Sequence, residues 1–406
     1  MFSRIIPPSG PPRVLALAQL TNAFGDGAYY VCSALYFTRI VGLSPTQVGA
    51  GLTLGWALGS VSGVPLGHLA DRWGVRGTAA LLAVATGTAV GSFMFVRSFA
   101  LFILAACLYA CCQCGLGAAR QALLAGLVDK AERTRVRAYL QATVNAGLAV
   151  GAALGGLALY FDTRQAYLAV FTMDALCFLV SALVLFRLPA VPPSPPAPAG
   201  EPALVVLRDG PYALISFLNM IMLLHMPLLS LVIPLWIVTR TQAPSWTVSA
   251  LLVLNTLSVV AFQVRVARRV TGLDSASRSV RQAGLVMLAS CAVFALSAAG
   301  SSAWTAGAVL LVAAGLQVLA EMMQASGAWA IGFDLAPPDR QGQYQGFFGA
   351  GTAVARMLGP LLLTTLIITW GPPGWLLLGG LFLLAGSAMR PAVRWAERTR
   401  SAVMAT

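Results

Sequence analysis

Charged side chains are scarce in this sequence. Of its 406 residues, 10% are Asp, Glu, Lys or Arg and 58% are hydrophobic, and the mean hydropathy is +0.80. A chain with so few charges is not an ordinary water-soluble domain. A helix needs about 20 apolar residues to cross the ~30 Å of hydrocarbon in a bilayer, and the chain has room for about twelve such helices. The composition therefore predicts an all-α integral membrane protein in contact with the lipid bilayer.

The common catalytic motifs are also missing. There is no Gly-x-x-x-x-Gly-Lys-Ser/Thr phosphate loop, which excludes direct use of ATP, and no nucleophile triad or zinc-protease motif. Four of the seven cysteines crowd one apolar run, but on a helix they point in several directions, and no second Cys or His cluster completes a tetrahedral site. These are Cys107, Cys111, Cys112 and Cys114. We therefore predict no enzyme activity, no cofactor and no metal.

Lysine is almost absent, and arginine supplies nearly all of the positive charge. The chain has 26 basic and 13 acidic residues, a formal net charge of +13 that would suggest nucleic acid in a soluble protein. Here 20 of the 26 basic residues fall in one alternate set of segments between the apolar runs, and four fall in the other set. Loops rich in Lys and Arg stay in the cytoplasm. The distribution predicts an even number of spans, both termini in the cytoplasm and no nucleic-acid partner.

Proline marks the division of the chain. Proline and alanine dominate residues 189–202, and no helix continues through such a segment. We predict an N-terminal six-helix half (1–188), a proline-rich cytoplasmic linker (189–210) that acts as a spacer, and a C-terminal six-helix half with a short cytoplasmic tail (211–406). The predicted spans are residues 14–39, 45–70, 78–96, 98–128, 138–161, 165–187, 211–238, 246–268, 280–299, 304–333, 344–370 and 374–389.

The first apolar run begins after Arg13, where a secretory signal could begin. It is too long for one and carries Asn22 and Asp26, so we interpret it as the first span rather than a cleaved targeting segment. Ser44 before Pro45 predicts the start of the second span, as an N-cap followed by proline at the first helical position.

A charged, glycine-rich stretch separates the second and third apolar runs. We call residues 67–77 the signature segment. Its pattern is Gly-x-x-x-Asp-Arg-x-Gly-x-Arg, formed by Gly67, Asp71, Arg72, Gly74 and Arg76. It resembles the loop between helices 2 and 3 of the major facilitator superfamily, a class of secondary transporters. The resemblance implies twelve helices in two pseudo-symmetric halves, a cytoplasmic gate at this loop, and Asp71 facing the N-terminal end of a helix in the second half, where the helix dipole favours a carboxylate. The alternative is a reverse turn whose arginines only obey the positive-inside rule.

Glycines recur at helical spacing in two spans. The second span has one every fourth residue from Gly51 to Gly67, which predicts a face that another helix can approach closely. The fifth span carries Gly147, Gly151, Gly155 and Gly156, and Ala152. This set resembles the helix 5 motif of proton-coupled exporters in the superfamily, with Ala152 in place of a proline. The resemblance favours export over import, whereas ordinary small-residue packing is the alternative.

Several ionisable residues lie inside the apolar runs, where each is a functional hypothesis because charge at bilayer depth is unfavourable. At ~1.5 Å per residue, Asp26 and Arg356 lie about 18 Å from the cytoplasmic ends of their spans, and Glu321 and Asp174 about 20 Å. Transporters place substrate and coupling ions near this depth. The candidates for proton coupling are Asp26, Glu321 and Asp174. The candidates for the substrate cavity are Asn22, Asp26, Tyr29, Tyr30, Asn145, His225, Glu321 and Arg356.

Asp26 is our first choice for the proton carrier, because the first span lines the cavity in relatives and low dielectric favours a protonated carboxyl. The alternative is a carboxylate that only binds a cationic substrate. Asp174 ranks lower, since helix 6 lies farther from the cavity in many relatives. We hypothesise that Glu321 and Arg356 pair and exchange during transport, with a static pair as the alternative. A histidine placed like His225 is more often an interior, hydrogen-bonded residue than a proton carrier. Arg120 lies near a predicted helix end, and we expect its side chain to snorkel to the membrane surface.

The resemblance implies proton-coupled efflux, by antiport, of a small hydrophobic or amphipathic compound such as a drug or secondary metabolite. The protein would work by alternating access, as a monomer in the bacterial inner membrane. The alternatives are a proton symporter or uniporter for nutrient uptake, and a membrane receptor that keeps the fold without transport.

Overall fold

Helices make up nearly all of the chain. A computed structural model describes residues 7–195, 202–244, 246–299 and 302–405, and these residues contain no β-strand. The α-helices are α1 (Pro11–Leu35), α2 (Pro45–Trp73), α3 (Val75–Ser92), α4 (Phe99–Leu127), α5 (Arg133–Phe161), α6 (Arg164–Leu185), α7 (Gly210–Leu223), α8 (Ile233–Arg240), α9 (Trp246–Ala267), α10 (Leu273–Leu296), α11 (Ala303–Asp334), α12 (Gln341–Leu363) and α13 (Pro372–Ala405).

Ten helical segments in the described part of the chain are long and apolar enough to cross a membrane. They are α3 to α6, the combined α7 and α8, and α9 to α13. Many of their large apolar side chains are exposed, which suits a surface that faces lipid rather than water. The protein is therefore a multi-pass membrane protein. The helices α1 and α2 are 25 and 29 residues long but are not among these ten, so the count of twelve spans stays a prediction.

The helix α2 begins at the predicted N-cap. The Ser44 side chain accepts a hydrogen bond from the backbone N–H of Gln47 at 3.1 Å, and the Gln47 side chain accepts one from the Ser44 N–H at 2.9 Å. This capping box satisfies two N–H groups at the start of the helix. The prediction of an N-cap at Ser44 is confirmed.

The signature segment is more helical than the sequence predicted. The helix α2 continues to Trp73, and α3 begins at Val75, so one residue separates them. That residue, Gly74, has φ = 98°, a conformation that residues other than glycine rarely adopt. The expected turn of several residues is therefore wrong. Asp71 and Arg76 lie on helical turns, which fixes their positions more firmly than a loop would.

Other boundaries also differ from the predicted spans. The seventh span is broken between α7 and α8 by a turn and the π-helix Leu228–Val232, directly after Pro227, whose missing N–H interrupts the helical hydrogen bonds. The helix α10 begins at Leu273 rather than at residue 280. The helix α13 continues to Ala405, well beyond the predicted end at residue 389, so the predicted tail is helical. Polar and charged helix formers occupy these ends, and hydropathy alone does not detect them.

The contacts divide the chain into two compact units. The first comprises the chain up to Val205 together with Ala336–Ala353, the start of α12. Within it, α1 packs on α5 and α6, α2 on α4, and α3 on α4 and α6. A cluster of buried rings fills its core, with ring centroids between 4.5 and 6.3 Å apart. The rings include Tyr29, Phe37, Phe93, Phe102 and Phe171.

The second unit comprises Val206–Leu335 and the chain from Val354 onward. Within it, α10 packs on α11 and α13, α9 on α11, and α7 on α13. The ring of Trp375 stacks on Phe294 at 4.8 Å and meets Trp236 edge-on at 5.7 Å. The indole N–H of Trp236 donates to Ser297 at 3.0 Å, so its polar group is satisfied inside the core.

Glycines bring the helices of the first unit close together. The glycines that recur every fourth residue on α2 form a stripe, and this stripe contacts two neighbouring helices. At Gly55 and Gly59 an added Cβ would lie 2.9 and 3.0 Å from carbonyl oxygens of α4, whereas at Gly63 it would lie 3.2 Å from the carbonyl oxygen of Gly346 in α12. The predicted close approach is confirmed, and the stripe is shared by α4 and the start of α12.

The predicted linker lies partly outside the described residues, because residues 196–201 are not among them. The part before this gap packs on the first unit. Directly before the linker, the carbonyl oxygen of Leu188 accepts a hydrogen bond from the side chain of Arg76 at 2.8 Å. The backbone N–H of Ser194 donates to the carbonyl oxygen of Asp71 at 2.8 Å. After the gap, the short 3-10 helix Val205–Arg208 leads into α7.

Candidate functional site

Asp71 binds the beginning of α12. Its two carboxylate oxygens accept hydrogen bonds from the backbone N–H groups of Gly342 at 2.7 Å and Gln343 at 3.0 Å. N–H groups in the first turn of a helix have no partner within the helix, and the helix dipole favours negative charge there. Asp71 is only 6% exposed. The carboxylate therefore acts as an N-terminal cap for a helix that follows it by about 270 residues.

This contact requires small residues on both sides. A Cβ on Gly342 would overlap the carbonyl oxygen of Gly67 and would lie 2.6 Å from the Oδ1 of Asp71. A Cβ on Gly346 would lie 2.6 Å from the carbonyl carbon of Gly63. Gly63 and Gly67 of α2 and the two glycines of α12 thus set the distance at which Asp71 can reach the two N–H groups.

A cleft opens beside Asp71, with a volume of about 310 Å³. The cations Arg72 and Arg340 line it, together with His68. Ser194 closes one side, because its hydroxyl donates to the carbonyl oxygen of Asp339. The linker therefore contacts both sides of the junction between the signature segment and α12.

One face of α1 is polar although it is surrounded by protein. Asn22, Asp26 and Tyr29 lie at helical spacing and share this face with Gly25. Asn22 and Tyr29 are each 3% exposed, and Asp26 is partly buried. The carboxyl group of Asp174 on α6 lies directly against this face. The structure thus brings together Asn22, Asp26, Tyr29 and Asp174, the last of which ranked lower among the candidates predicted from the sequence.

Aromatic rings surround Tyr29. Its ring centroid lies 5.7 Å from that of Phe171, 5.5 Å from Tyr109 and 5.7 Å from Tyr30. Tyr30 itself is 42% exposed, so it lies at the outer edge of the group. Tyr29, Tyr109 and Phe171 are at most 3% exposed, so these rings pack against one another in the core of the unit. Tyr30 is the ring of this group whose apolar face and hydroxyl are accessible.

Arg120 on α4 is a basic residue near Asp26. Its guanidinium donates to the Ser181 hydroxyl on α6 at 3.0 Å, and the charge of Asp26 acts on it electrostatically. Arg120 is therefore directed into the helix bundle of the first unit. The expectation that it snorkels to the membrane surface stays a prediction, since Ser181 itself lies near the end of α6 at Leu185.

In the second unit, Glu321 on α11 accepts a hydrogen bond from the side-chain amide of Asn255 on α9 at 2.9 Å. Sequence reasoning had proposed Arg356 as its partner, and that ion pair stays a prediction. Two further amide contacts join helices in this unit. Gln324 donates to Asn219 at 2.8 Å, and Gln263 donates to Ser326 at 3.1 Å.

The other two candidates have local partners. The ring Nδ1 of His225 lies 2.7 Å from the carbonyl oxygen of Met222, and the residue is 5% exposed at the break between α7 and α8. Asn145 on α5 accepts a hydrogen bond from Gln141 one turn earlier, at 3.1 Å. Each of these contacts stays within one chain segment, so neither residue joins the polar face of α1 through them.

The helix 5 glycines are packed on α1. A Cβ added at Gly147 would lie 3.0 Å from the Cβ of Ala23, and one added at Gly151 would overlap the carbonyl oxygen of Phe24. A Cβ added at Gly155 would lie 2.9 Å from the carbonyl oxygen of Ala28. At Gly156 it would meet nothing within 4 Å. Three of the four glycines therefore position the helix that carries Asp26, and the fourth has no such contact.

An ion pair lies just beyond the C-terminal end of α1, where Arg39 belongs to the π-helix Tyr36–Ile40. Arg39 donates to Asp162 at 2.7 Å, and the hydroxyl of Tyr167 donates to the same carboxylate at 2.5 Å. These two contacts, the Tyr167 hydrogen bond above all, hold the pKa of Asp162 below the usual range of an aspartate. A lowered pKa keeps the carboxylate ionised as the pH falls, so the contact is lost as the pH passes below this lowered pKa.

Sequence reasoning missed Gly25, Tyr109 and Asn255. A signal for Gly25 was available, since glycines flank Asp26 on both sides. A Cβ on Gly25 would lie 2.9 Å from the Cα of Asp174, and one on Gly27 would lie 2.9 Å from the backbone nitrogen of Ala152. The two glycines thus hold α1 between α6 and α5. Tyr109 and Asn255 are ordinary residues of apolar helices and gave no such signal.

Known proteins share this architecture. The sequence model of the Major Facilitator Superfamily matches residues 15–360. The human organic anion transporter MFSD10 (TETRAN) has a TM-score of 0.71 and 18% sequence identity, covering 93% of this chain and 99% of that chain. A bacterial homologue of the iron transporter ferroportin, in an outward-facing state, has a TM-score of 0.72 and 15% identity, covering 95% and 99%. At these identities the two structures share the fold with this chain.

Proposed function

The chain belongs to the Major Facilitator Superfamily, and from that premise we propose that it is a secondary transporter for a small molecule. It moves its substrate by alternating access, with the ten apolar segments and the helices α1 and α2 forming twelve spans in two six-helix halves. We assign residues 1–188 and 211–406 to these halves and 189–210 to the linker. The transporter works as a monomer.

We place both termini in the cytoplasm and the protein in a bacterial inner membrane. The basic residues support this orientation, since 20 of 26 belong to one alternate set of segments. Asp71 then lies on the cytoplasmic side. Its hydrogen bonds to Gly342 and Gln343 support a gate that closes when α2 meets α12 and opens when they part. Arg72, Gly74 and Arg76 complete the gate.

The activity that we propose is proton-coupled efflux of a hydrophobic or amphipathic compound. The observation that carries the coupling is the polar face of α1, where Asp26 lies beside the buried Asp174. Carboxyl groups inside a membrane-spanning bundle are energetically unfavourable, and transporters use them in proton relays. The exposed ring of Tyr30, which packs at the edge of the group formed by Tyr29 and Tyr109, suits a ligand with apolar surface. Inward protons supply about 2.3 kcal/mol per charge for each 100 mV of membrane potential.

Proteoliposomes that contain a pH-sensitive dye test this proposal. A panel of lipophilic cations and antibiotics, including ethidium and tetraphenylphosphonium, is added to wild type, Asp26→Asn and Asp162→Asn. We expect at least one compound to cause a proton flux in wild type, and we expect Asp26→Asn to reduce that flux at least tenfold. Asp162→Asn removes an acid at the C-terminal end of α5, away from the polar face of α1, and should leave the flux unchanged.

Either of two outcomes would contradict the proposal. Transport of a compound without proton flux in any of the three proteins would indicate a uniporter and would leave Asp26 as a ligand-binding residue. Specific binding of a compound to the purified protein, without movement of any compound in sealed vesicles, would indicate a receptor that has kept the fold.

A further inference from the structure

Asp174 is buried more completely than any other acidic residue among the candidates. Its relative exposure is 0%, and its carboxyl group lies so close to α1 that a Cβ on Gly25 would overlap the Oδ1. Gly25 immediately precedes Asp26. The close approach of α6 to α1 at this glycine therefore brings two carboxyl groups into one buried region, and they act on each other electrostatically.

The carboxyl group of Asp174 makes no hydrogen bond to any of the described residues, since neither of its oxygens accepts one. The guanidinium of Arg120 donates to Ser181, which lies two turns farther along α6. The side-chain amide of Asn22 is also buried without a hydrogen-bond partner, one turn before Asp26 on the same face of α1. The region thus contains a buried carboxyl group and a buried amide whose side-chain polar atoms make no hydrogen bond.

An ionised carboxylate without hydrogen bonds or a cation is strongly unfavourable in such an environment, and a buried acid neutralises instead. A second carboxyl group nearby increases this preference, because two like charges cannot both be accommodated at close range. The chemistry of the region therefore favours at least one proton on the two acids.

We propose that Asp26 and Asp174 form one proton-binding unit, in which Asp174 holds the proton in the conformation described and Asp26 exchanges it with the transport pathway. This inference rests on the proposed transport function and assigns the carrier to two residues rather than to Asp26 alone. In the exchange, the O–H bond at Asp174 breaks as one forms at Asp26, so the unit keeps a single proton and a single negative charge.

The occupant is a proton rather than a metal cation. A calcium-sized ion needs at least six oxygen ligands at about 2.3–2.6 Å. The backbone of α1 at Gly25 occupies the space beside Asp174 Oδ1, whereas a proton needs no additional space. The described residues also contain no group of three or more His, Cys, Asp or Glu side chains arranged to hold a metal.

Other titratable and charged groups also face this unit. They are Tyr29 and Tyr30 on α1, Tyr109 and Arg120 on α4, and Cys177 on α6. Arg120 provides positive charge that acts on Asp26, whereas the tyrosines and the cysteine are neutral near pH 7. Of the two acids, Asp26 is therefore the one better able to carry the remaining negative charge.

Infrared spectroscopy of the protein in lipid nanodiscs tests the proposal without any substrate. The carbonyl stretch of a protonated carboxyl group is followed from pH 5 to pH 9 in wild type, in Asp174→Asn and in Asp26→Asn, with Asp162→Asn as the matched surface control. We expect wild type to keep a protonated aspartate band at pH 7.5. Asp174→Asn should lose this band. In Asp26→Asn the band should disappear at a pH at least about one unit lower, since the neighbouring charge is gone.

The result is independent of whether transport is found. Wild-type protein labelled with carbon-13 in the aspartate carboxyl groups assigns the band without relying on a variant that must fold. Absence of a protonated aspartate band in labelled wild type at pH 7.5 would overturn the proposal. So would persistence of the band in Asp174→Asn, or an unchanged titration of the band in Asp26→Asn. If the proton-flux experiment fails but the spectra are as expected, the proposed transport function is contradicted and the proton-binding unit is still supported.

Discussion

Replacing Asp71 by alanine is expected to raise the hydrogen-exchange rates of the Gly342 and Gln343 amides at least about 100-fold. Both N–H groups lie in the first turn of α12, and Asp71 is the acceptor that each uses, at 2.7 and 3.0 Å. Hydrogen bonds to a charged group contribute about 1.5–3 kcal/mol each, and 1.4 kcal/mol corresponds to a factor of ten. Loss of both removes at least about 3 kcal/mol, so protection should fall by at least about two powers of ten, measured by mass spectrometry on the peptide that begins α12.

Asp339→Ala is the matched control for this measurement. Asp339 lies just before α12 as well, but its side chain is 46% exposed and pairs with the adjacent Arg340 at 3.3 Å. An exposed ion pair of this kind contributes little. Its removal should change the protection of the Gly342 and Gln343 amides less than threefold. Equal effects from Asp71→Ala and Asp339→Ala would mean that general charge near α12, rather than the two specific hydrogen bonds, holds this helix end.

Two glycines in one helix should respond differently to replacement by alanine. A Cβ at Gly151 would overlap the carbonyl oxygen of Phe24 in α1 and would lie 3.1 Å from the backbone nitrogen of Ala28. Backbone atoms cannot turn aside as a flexible side chain can, so α1 and α5 must separate. Overpacking of this kind destabilises a protein by about 1–3 kcal/mol. We expect Gly151→Ala to lower the apparent unfolding temperature in detergent by about 3–10 °C.

Gly156→Ala, five residues later in α5, should leave the unfolding temperature unchanged or raise it. Nothing lies within 4 Å of an added Cβ there, and alanine favours a helix by about 1 kcal/mol over glycine. Thermal unfolding followed by tryptophan fluorescence compares the two variants. A similar loss of stability in both would show that α5 needs glycine for flexibility rather than for its contact with α1.

The membrane class and the family could be predicted from the sequence because their signals are local. Scarcity of charge, apolar runs of span length and the pattern around Asp71 each need only a short stretch of chain. The resemblance to the major facilitator superfamily is confirmed by the match over residues 15–360. The all-helical fold is confirmed as well, and the count of twelve spans stays a prediction.

The site was harder to predict because its contacts join distant residues. Asp174 and Gly25 are separated by about 150 residues, and only the packing of α6 on α1 brings them together. Depth in the membrane indicated that Asp26 and Asp174 lie at similar levels, but depth does not specify which faces meet. The same limit applies to Glu321, whose hydrogen bond to Asn255 depends on how α9 and α11 are rotated.

Helix ends were missed for a different reason. Hydropathy detects the part of a helix that lies in lipid, whereas polar residues extend several helices beyond it. Thus α13 continues through a segment with several arginines, and α2 and α3 continue through the signature segment until Gly74 separates them. Capping residues gave a more accurate boundary where they were present, as at Ser44.

The direction of the proton flux tests the central claim of proton-coupled antiport most directly. Proteoliposomes are loaded with the panel compound that gives the largest flux, the membrane potential is held at zero with potassium and valinomycin, and the vesicles are diluted into compound-free buffer at equal pH. Antiport predicts that the interior becomes more acidic as the compound leaves, and that Asp26→Asn abolishes the change. An interior that becomes more alkaline would indicate symport, and an interior pH that stays constant while the compound leaves would indicate uniport. Either result would contradict the account.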